Sequence, residues 1–514
     1  MKKIAITIVF IVFFRNLSFT QTVTQQWIVY PSPQMIYPIV IKEDQLYIDD
    51  NLDVYAGGIF YDTTFFYNSL ATVKINSSGT VQWFATDAGP GVVSAALSAI
   101  SVDTLYNVYM SGSINDNSGI GWARTNKYDQ YGTLIWSHQL DTTNGTLGTR
   151  SYGNFVSTDN FCYEHVRQKN ITIIKLDSLG NVILQFTNDT IDATQSQAFI
   201  ASEFKRDLAN NIYVAGTYVN TPNQNERKYF VKKFSSQGTF LWEAFYNPTF
   251  GSDNLTDLFI DSVQNVYLNG IENVSSGYGI VVYDSTGSEK WNSFFQNNGA
   301  GYANDIAADN SGNCYVNGVA PDASTYMGYL LKYDTFGNVI WQRNIDSVSA
   351  NSLAKVKLDA DANIYVTYSG SFNTISIDYV VTAKFDSSGN LKWKIYYNQP
   401  KSVTALALDE FNNVYIAGEG FVIKYSQITS INELLNNAEE IEIYPNPVTN
   451  NVINFSRYLH HISFSVFDSF GKEILVNKNF SGKSALLPQK LQSGLYFIEI
   501  YNGKTLFYKK IVII

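Results

Sequence analysis

The sequence predicts an all-β chain: a closed ring of four-stranded sheets followed by a small β-domain. Three observations lead there. A phrase best seen as Asp409-Glu-Phe-Asn-Asn413-Val-Tyr415 recurs along most of the chain at intervals of about fifty residues, the period of a repeat architecture. A second phrase follows every copy but the last: in its full form Asp, two residues, Gly, three residues, Trp. The last seventy-odd residues share neither phrase and carry the opposite charge. From Ile441 onward the net charge is +4, against −14 for residues 1–440.

Taken in order, the first residues read as an export signal. Lys2 and Lys3 precede the apolar run Ile4–Phe14, too short to span a bilayer and suited to a signal-peptide core. Residues 1–20 are therefore expected to be a signal peptide. No other stretch approaches a transmembrane helix, so no such segment is expected in the mature chain.

The first phrase stands at Asp103/Asn107/Tyr109, Asp207/Asn211/Tyr213, Asp261/Asn265/Tyr267, Asp309/Asn313/Tyr315 and Asp359/Asn363/Tyr365. Asp49/Asp53/Tyr55 is a weaker copy, and a degenerate one centres on Tyr163. In the second phrase Gly permits positive φ and Asp caps a tight turn, so each copy is a hairpin with Trp on the outgoing strand. Asp129/Gly132/Trp136 and Asp334/Gly337/Trp341 are typical. Each repeat then holds four strands, which is a β-propeller blade. First phrases number eight and second phrases seven, because the last repeat stops at Tyr425. Gln26-Trp27-Ile28-Val29-Tyr30 matches the missing outer strand. The prediction is an eight-bladed β-propeller over residues 21–425, closed by its N-terminal strand, with seven blades and an irregular third repeat as the alternative. Closure in one sheet covers the edges. Residues 426–440 read as a linker, and 441–514 as a small β-sandwich.

The two phrases resemble the SBBP-type bacterial β-propeller repeats of exported and surface proteins, a resemblance specific for fold and poor in function. The tail is similar to the type A sorting domain of the type IX secretion system, on Tyr444-Pro445-Asn446-Pro447, Asp468-Ser-Phe-Gly471, Gly494-Leu-Tyr496 and Lys509-Lys510. That resemblance implies that Pro445, Asn446, Pro447, Asp468, Gly471, Gly494, Tyr496 and Lys510 form the sorting signal. It also implies an outer-membrane translocon as partner, and delivery to the surface of a Gram-negative bacterium or release.

Composition narrows the function. An acidic main body disfavours nucleic acid as a partner. Catalytic motifs such as Gly-x-Ser-x-Gly and His-Glu-x-x-His do not occur, and the four His have no ligand-like spacing. Asp359-Ala-Asp361-Ala-Asn363 begins like a calcium loop, but Gly370 stands at its twelfth position, so a plain turn is expected. Neither metal nor cofactor is predicted. Cys162 and Cys314 fill a column otherwise Val or Ile and read as small buried hydrophobes.

Two places are candidate sites. Four residues before the motif Asp, the innermost strands carry Gln45, Ala99, Glu203, Asp257, Asp305, Lys355 and Ala405, and the charged four fall on successive repeats. Placed near the ring axis, they suit a polar ligand, or acid/base chemistry if burial raises one carboxyl. Trp122, Tyr278 and Tyr326, in segments 113–124, 271–279 and 319–327, suit a sugar or a protein partner on the long-loop face. The leading expectation is a binding or adhesion module for an extracellular glycan or protein. The alternative is an extracellular polysaccharide hydrolase or lyase using the acidic residues near the axis.

Overall fold

A computed structural model describes residues 22–31, 45–62, 67–87, 92–116, 121–140, 150–167, 171–188, 197–220, 226–247, 254–272, 277–295, 301–322, 325–348, 355–371, 378–397, 402–428, 441–468, 472–488, 491–501 and 506–514. The expected signal peptide and most of the expected linker lie outside these. Contacts divide the chain into one unit of residues 23–427 and another containing 428–514. No helix among the described residues is long and apolar enough to cross a membrane.

The first unit is eight four-stranded antiparallel sheets. Seven run consecutively: blade 1 begins at Leu46–Ile48 and blade 7 ends at Leu391–Tyr397. Blade 8 joins Val403–Leu408, Val414–Gly418 and Phe421–Ile428 to the N-terminal strand Thr22–Val29, the predicted closure. The Trp27 ring centroid lies 6.1 Å from that of Tyr415, edge to face. Blade 8 packs on blade 1 through Val29, Ala405, Tyr415, Ala417 and Val422 against Val54, Ala56, Val73 and Ile75.

The first phrase is a turn fastened by its own Asp. In blade 2, Asp103 Oδ1 accepts the N–H of Leu105 and of Asn107, each at 2.9 Å, and Oδ2 accepts the Tyr109 hydroxyl at 3.2 Å. Blade 3 substitutes Ser157, and its Tyr163 hydroxyl donates instead to Ser236 O of blade 4 at 3.0 Å. Burial first, and the neighbouring Asp second, push the phenols of Tyr55, Tyr109, Tyr213 and Tyr415 well above their ordinary value.

The second phrase joins one blade to the next. The Trp83 indole of blade 1 donates to Gln130 O at 2.9 Å and packs beneath Gly132 of blade 2. That glycine has φ +83°, and a Cβ there would lie 2.7 Å from the indole. Positive φ and close approach together demand glycine. The same bond runs from Trp27 to Ser77 O, Trp136 to Ser178 O and Trp242 to Ser285 O. Blade 3 has Leu184 in the Trp position, and Phe186 packs under Gly238 in its stead. Where blade 8 lacks the turn, Trp393 donates to Gln427 Oε1 at 3.1 Å. Cys162 and Cys314 are buried free thiols.

The C-terminal unit is one antiparallel sheet of Ile443–Tyr444, Val452–Asp468, Glu473–Leu486, Gly494–Tyr501 and Leu506–Ile513. Register breaks in the second strand let it bend. A parallel bridge from Val448 to Ile513 nearly closes the sheet around Phe455, Phe464, Val466, Ile498, Ile500 and Ile511.

Candidate functional site

The hub residues do not point as expected. Every first strand from blade 2 to blade 6, and that of blade 8, skips one residue in its pairing with the second strand, just before the column position. Leu255/Asp257 and Ala303/Asp305 show the break. Such a bulge re-aims the side chain that follows it. Asp257 and Asp305 are consequently buried against the next blade rather than directed at the axis, which corrects the expected placement. Asp257 Oδ2 accepts the Ile306 N–H of blade 6 at 3.0 Å, and Asp305 Oδ2 accepts the Val356 N–H of blade 7 at 2.7 Å. Lys205 Nζ lies 3.0 Å from Asp257 Oδ1 and 3.6 Å from Glu203 Oε2, and donates to Leu258 O at 2.6 Å. Lys355 Nζ lies 3.8 Å from Asp305 Oδ1. The cluster is a set of clamps between blades 4, 5, 6 and 7. Charge-assisted bonds to buried backbone N–H groups are strong ones.

The loop aromatics are also displaced. Trp122 is on the third strand of blade 2, opposite Ile114, half-buried against the core between blades 1 and 2. Tyr278 is fully buried on the third strand of blade 5, its ring centroid 5.0 Å from that of Phe295. Neither is a loop platform, because the hairpins extend further than the sequence pattern suggests: segment 319–327 is strand through Asp322 and again from Thr325. Tyr326 pairs with Pro321 on those strands, and its side chain lies outside the described residues.

Two columns escaped the sequence reading. One is a third-strand lysine two residues before the second phrase, from Lys74 in blade 1 to Lys424 in blade 8, with Val282 the exception in blade 5. Its Nζ sits 4.8–5.1 Å from the centroid of the motif Tyr ring. In blade 2 it also lies 3.5 Å from Asp103. The other column is the tip of the turns. Leu105, Tyr131, Leu179, Leu208, Val263 and Phe336 are between 67% and 79% exposed. All lie in first- or second-phrase turns, and an antiparallel blade sends both of those to one face. Five occupy the second position after the turn Asp, where only the backbone N–H is used. Asn51, Ser78, Ser311 and Ser388 make the same bond with polar side chains. The turn therefore does not require the apolar ones, and exposed apolar clusters mark interaction surfaces. On the same face a shallow cleft of about 470 Å³ separates the inner turns of blades 6 and 7, lined by Asp309, Asn310, Ser311, Asp359 and Asp361. Asp359 Oδ1 accepts Asp361 N and Asn363 N, the geometry of a plain turn.

In the C-terminal unit the expected sorting residues largely converge. Asn446 Nδ2 donates to Lys510 O at 3.0 Å while its Oδ1 accepts Val512 N at 2.8 Å, so the Pro-Asn-Pro segment is docked on the last strand. Pro445, Asn446, Pro447 and Lys510 are all exposed. Gly494 and Tyr496 lie on the strand paired with that one, and the Tyr496 hydroxyl donates to Gln492 O at 3.0 Å. Asp468 Oδ1 accepts Lys472 N at 3.0 Å. Gly471 lies outside the described residues.

These features define an eight-bladed β-propeller joined to a secretion tail. Residues 442–514 match the family described as the secretion system C-terminal sorting domain. That tail implies an interaction with the type IX machinery and export to the surface or medium of a Gram-negative bacterium. No curated protein matches the chain. Among solved structures it is similar to the streptogramin B lyase structure, at 12% identity, TM-score 0.40, over 65% of this chain and 93% of that one. PorZ of Porphyromonas gingivalis, described as a surface component of the type-IX secretion system, aligns at 9% identity and TM-score 0.23, over 92% and 86%. The β-propeller domain of the Trilobed protease from Pyrococcus furiosus aligns at 12% identity and TM-score 0.38, over 67% and 98%. These scores are low, and the eight-blade arrangement stands on this chain's own strand pairing.

Proposed function

We propose that the propeller is an exported binding module, held at the cell surface or released, that engages an extracellular protein or glycan. The observation that carries this reading is the set of exposed apolar turn tips on a rigid face. Leu and Val at most tips favour a protein over a sugar, which stacks better on aromatic rings. The clamp contacts weigh against the hydrolase or lyase reading, because Asp257 already serves Ile306 N–H and Lys205, and Asp305 serves the buried Val356 N–H. Export proceeds through the type IX translocon by way of the exposed Pro445, Asn446, Pro447 and Lys510. Protein and glycan arrays probed with the secreted chain test the proposal. Leu105→Ser/Leu208→Ser/Val263→Ser is expected to abolish a protein signal with circular dichroism and melting unchanged. Binding that survives this triple variant sinks the assignment of the face. Deleting residues 441–514 is expected to strand the protein in the periplasm.

A further inference from the structure

The seam between blades 2 and 3 holds a carboxyl that no role above uses. Glu164 lies on the second strand of blade 3, 1% exposed, on the face packed against blade 2. Its partners across the sheet are Asn154 and Ile174. Asn154 Nδ2 donates to Ser111 Oγ of blade 2 at 2.6 Å, and Ser111 shares a 2.6 Å hydroxyl contact with Thr125. Three buried oxygens in this nest have no hydrogen-bond partner: Glu164 Oε1, Asn154 Oδ1 and Ser151 Oγ.

The charged and titratable groups around the seam are engaged elsewhere or neutral. Lys127 of blade 2 is held by Asp103 and the Tyr109 ring. His138, opposite Thr125, is kept from protonating by burial, and burial pushes the Cys162 thiol up. Arg124 pairs with Asp87 of blade 1, while His165 packs on Phe204 and Lys175 on Phe161, away from the seam. Among the described residues no cation lies within ion-pair distance of Glu164. An ionised carboxylate without a counter-charge is unfavourable in such a place. A proton removes the charge and lets the carboxyl donate to an oxygen that can only accept, Asn154 Oδ1, which has no other partner.

We propose that Glu164 is a proton-operated latch: as the neutral acid it donates its O–H within the Asn154–Ser151 nest and keeps blades 2 and 3 closed, and release of that proton to solvent loosens the seam. Burial, opposed by the nearby Thr125 and Ser151 hydroxyls, lifts this carboxyl from 4.5 to about 7. That is a hold on the proton about 300-fold tighter than in the unfolded chain. Burial acts on the two groups in opposite directions, disfavouring the charged form of each: it raises the Glu164 carboxyl and lowers the His138 imidazole.

Hydrogen exchange of the full chain, corrected for intrinsic rates, tests this across about pH 6 to 8.5. Amides of Val108–Asp116 and Cys162–Arg167 are expected to lose protection roughly tenfold over that range, while those of Val54–Asp62 in the blade 8–blade 1 seam do not. Glu164→Gln, which mimics the neutral acid, is expected to abolish the pH dependence. A wild-type seam with the pH profile of Glu164→Gln overturns the proposal. Carbon-13 NMR of δ-labelled glutamate in the wild type decides the matter if the variant does not fold. One Glu carboxyl titrating near neutrality supports the latch, and all of them titrating in the ordinary range refutes it.

Discussion

Two seams of the same ring are built in opposite ways. Between blades 8 and 1, where the chain's beginning meets its end, the buried core of the contact is apolar, from Val29 and Val54 to Ala417 and Val422. Between blades 2 and 3, next to each other in sequence, Tyr109, Val156, Cys162 and Ile174 surround a buried polar nest of Ser111, Thr125, Asn154 and Glu164. The closing strand pairs residues 22–29 with 421–428 and bears a large loop-closure entropy, so it gains most from non-directional burial, which tolerates imperfect approach. Consecutive blades are already tethered. There a polar network adds little net stability but fixes one register.

The largest effect that probes this contrast is at Trp27. Trp27→Ala removes an indole packed on Gly79 and Tyr415 and its bond to Ser77 O. The expected loss is about 4 kcal/mol, read from urea unfolding, with the N-terminal strand opening first in hydrogen exchange. A loss confined to blade 8, with blade 1 unaffected, would mean the closure is not shared between them.

The polar seam is sharpened by pH. The Glu164 carboxyl is raised in the folded state, so as pH climbs the unfolded chain releases its proton first. Stability from this group is complete below about 4.5, declines from there to about 7, and stays low above it. Glu164→Gln should therefore match the wild type near pH 4.5 and exceed it by about 3 kcal/mol at pH 8 or so. His138 acts in the opposite sense: its folded pKa is lowered by burial, so its contribution is lost as pH falls below 6.5. His138→Asn should remove the acid-side loss and leave the alkaline one untouched.

A third kind of seam is intermediate in effect. Asp305→Ala leaves the buried Val356 N–H without its acceptor and removes the charge 3.8 Å from Lys355. The expected cost is about 2 kcal/mol by thermal or denaturant unfolding. Ala405 holds the same column in blade 8 and makes no such bond, so the apolar seam has no counterpart to lose.

What was readable in the sequence depended on how locally each residue acts. The Asp-Asn-Tyr phrase and the Asp-Gly-Trp phrase were legible because their residues do their work within a turn or on the next identical turn. Trp27 was legible by the same logic, since it repeats Trp393. The aim of Asp257 and Asp305 was not, because one bulge residue, Thr256 or Asn304, decides which way they face, and a register skip leaves no mark in composition. The lysine column was visible at Lys127 and Lys384 but indistinguishable from a solvated charge until its neighbours, Tyr109 and Tyr365, were placed beneath it. The residues expected to form the sorting signal stand in the sequence as an ordered set within the matched tail. What was hidden is that Asn446 and Lys510, 64 positions apart, share a hydrogen bond.

The smallest expected change separates stability from recognition. Leu105 and Leu208 stand at turn tips, and each turn is held by backbone bonds to Asp103 and Asp207 that any side chain permits. Leu105→Ser and Leu208→Ser should each shift stability by no more than about 0.5 kcal/mol, well below any change at a seam. If they do, the apolar character of these tips serves no fold, and its remaining use is contact with another molecule. A loss of 2 kcal/mol or so would instead place the tips among the packing residues and return the binding face to the opposite side of the ring.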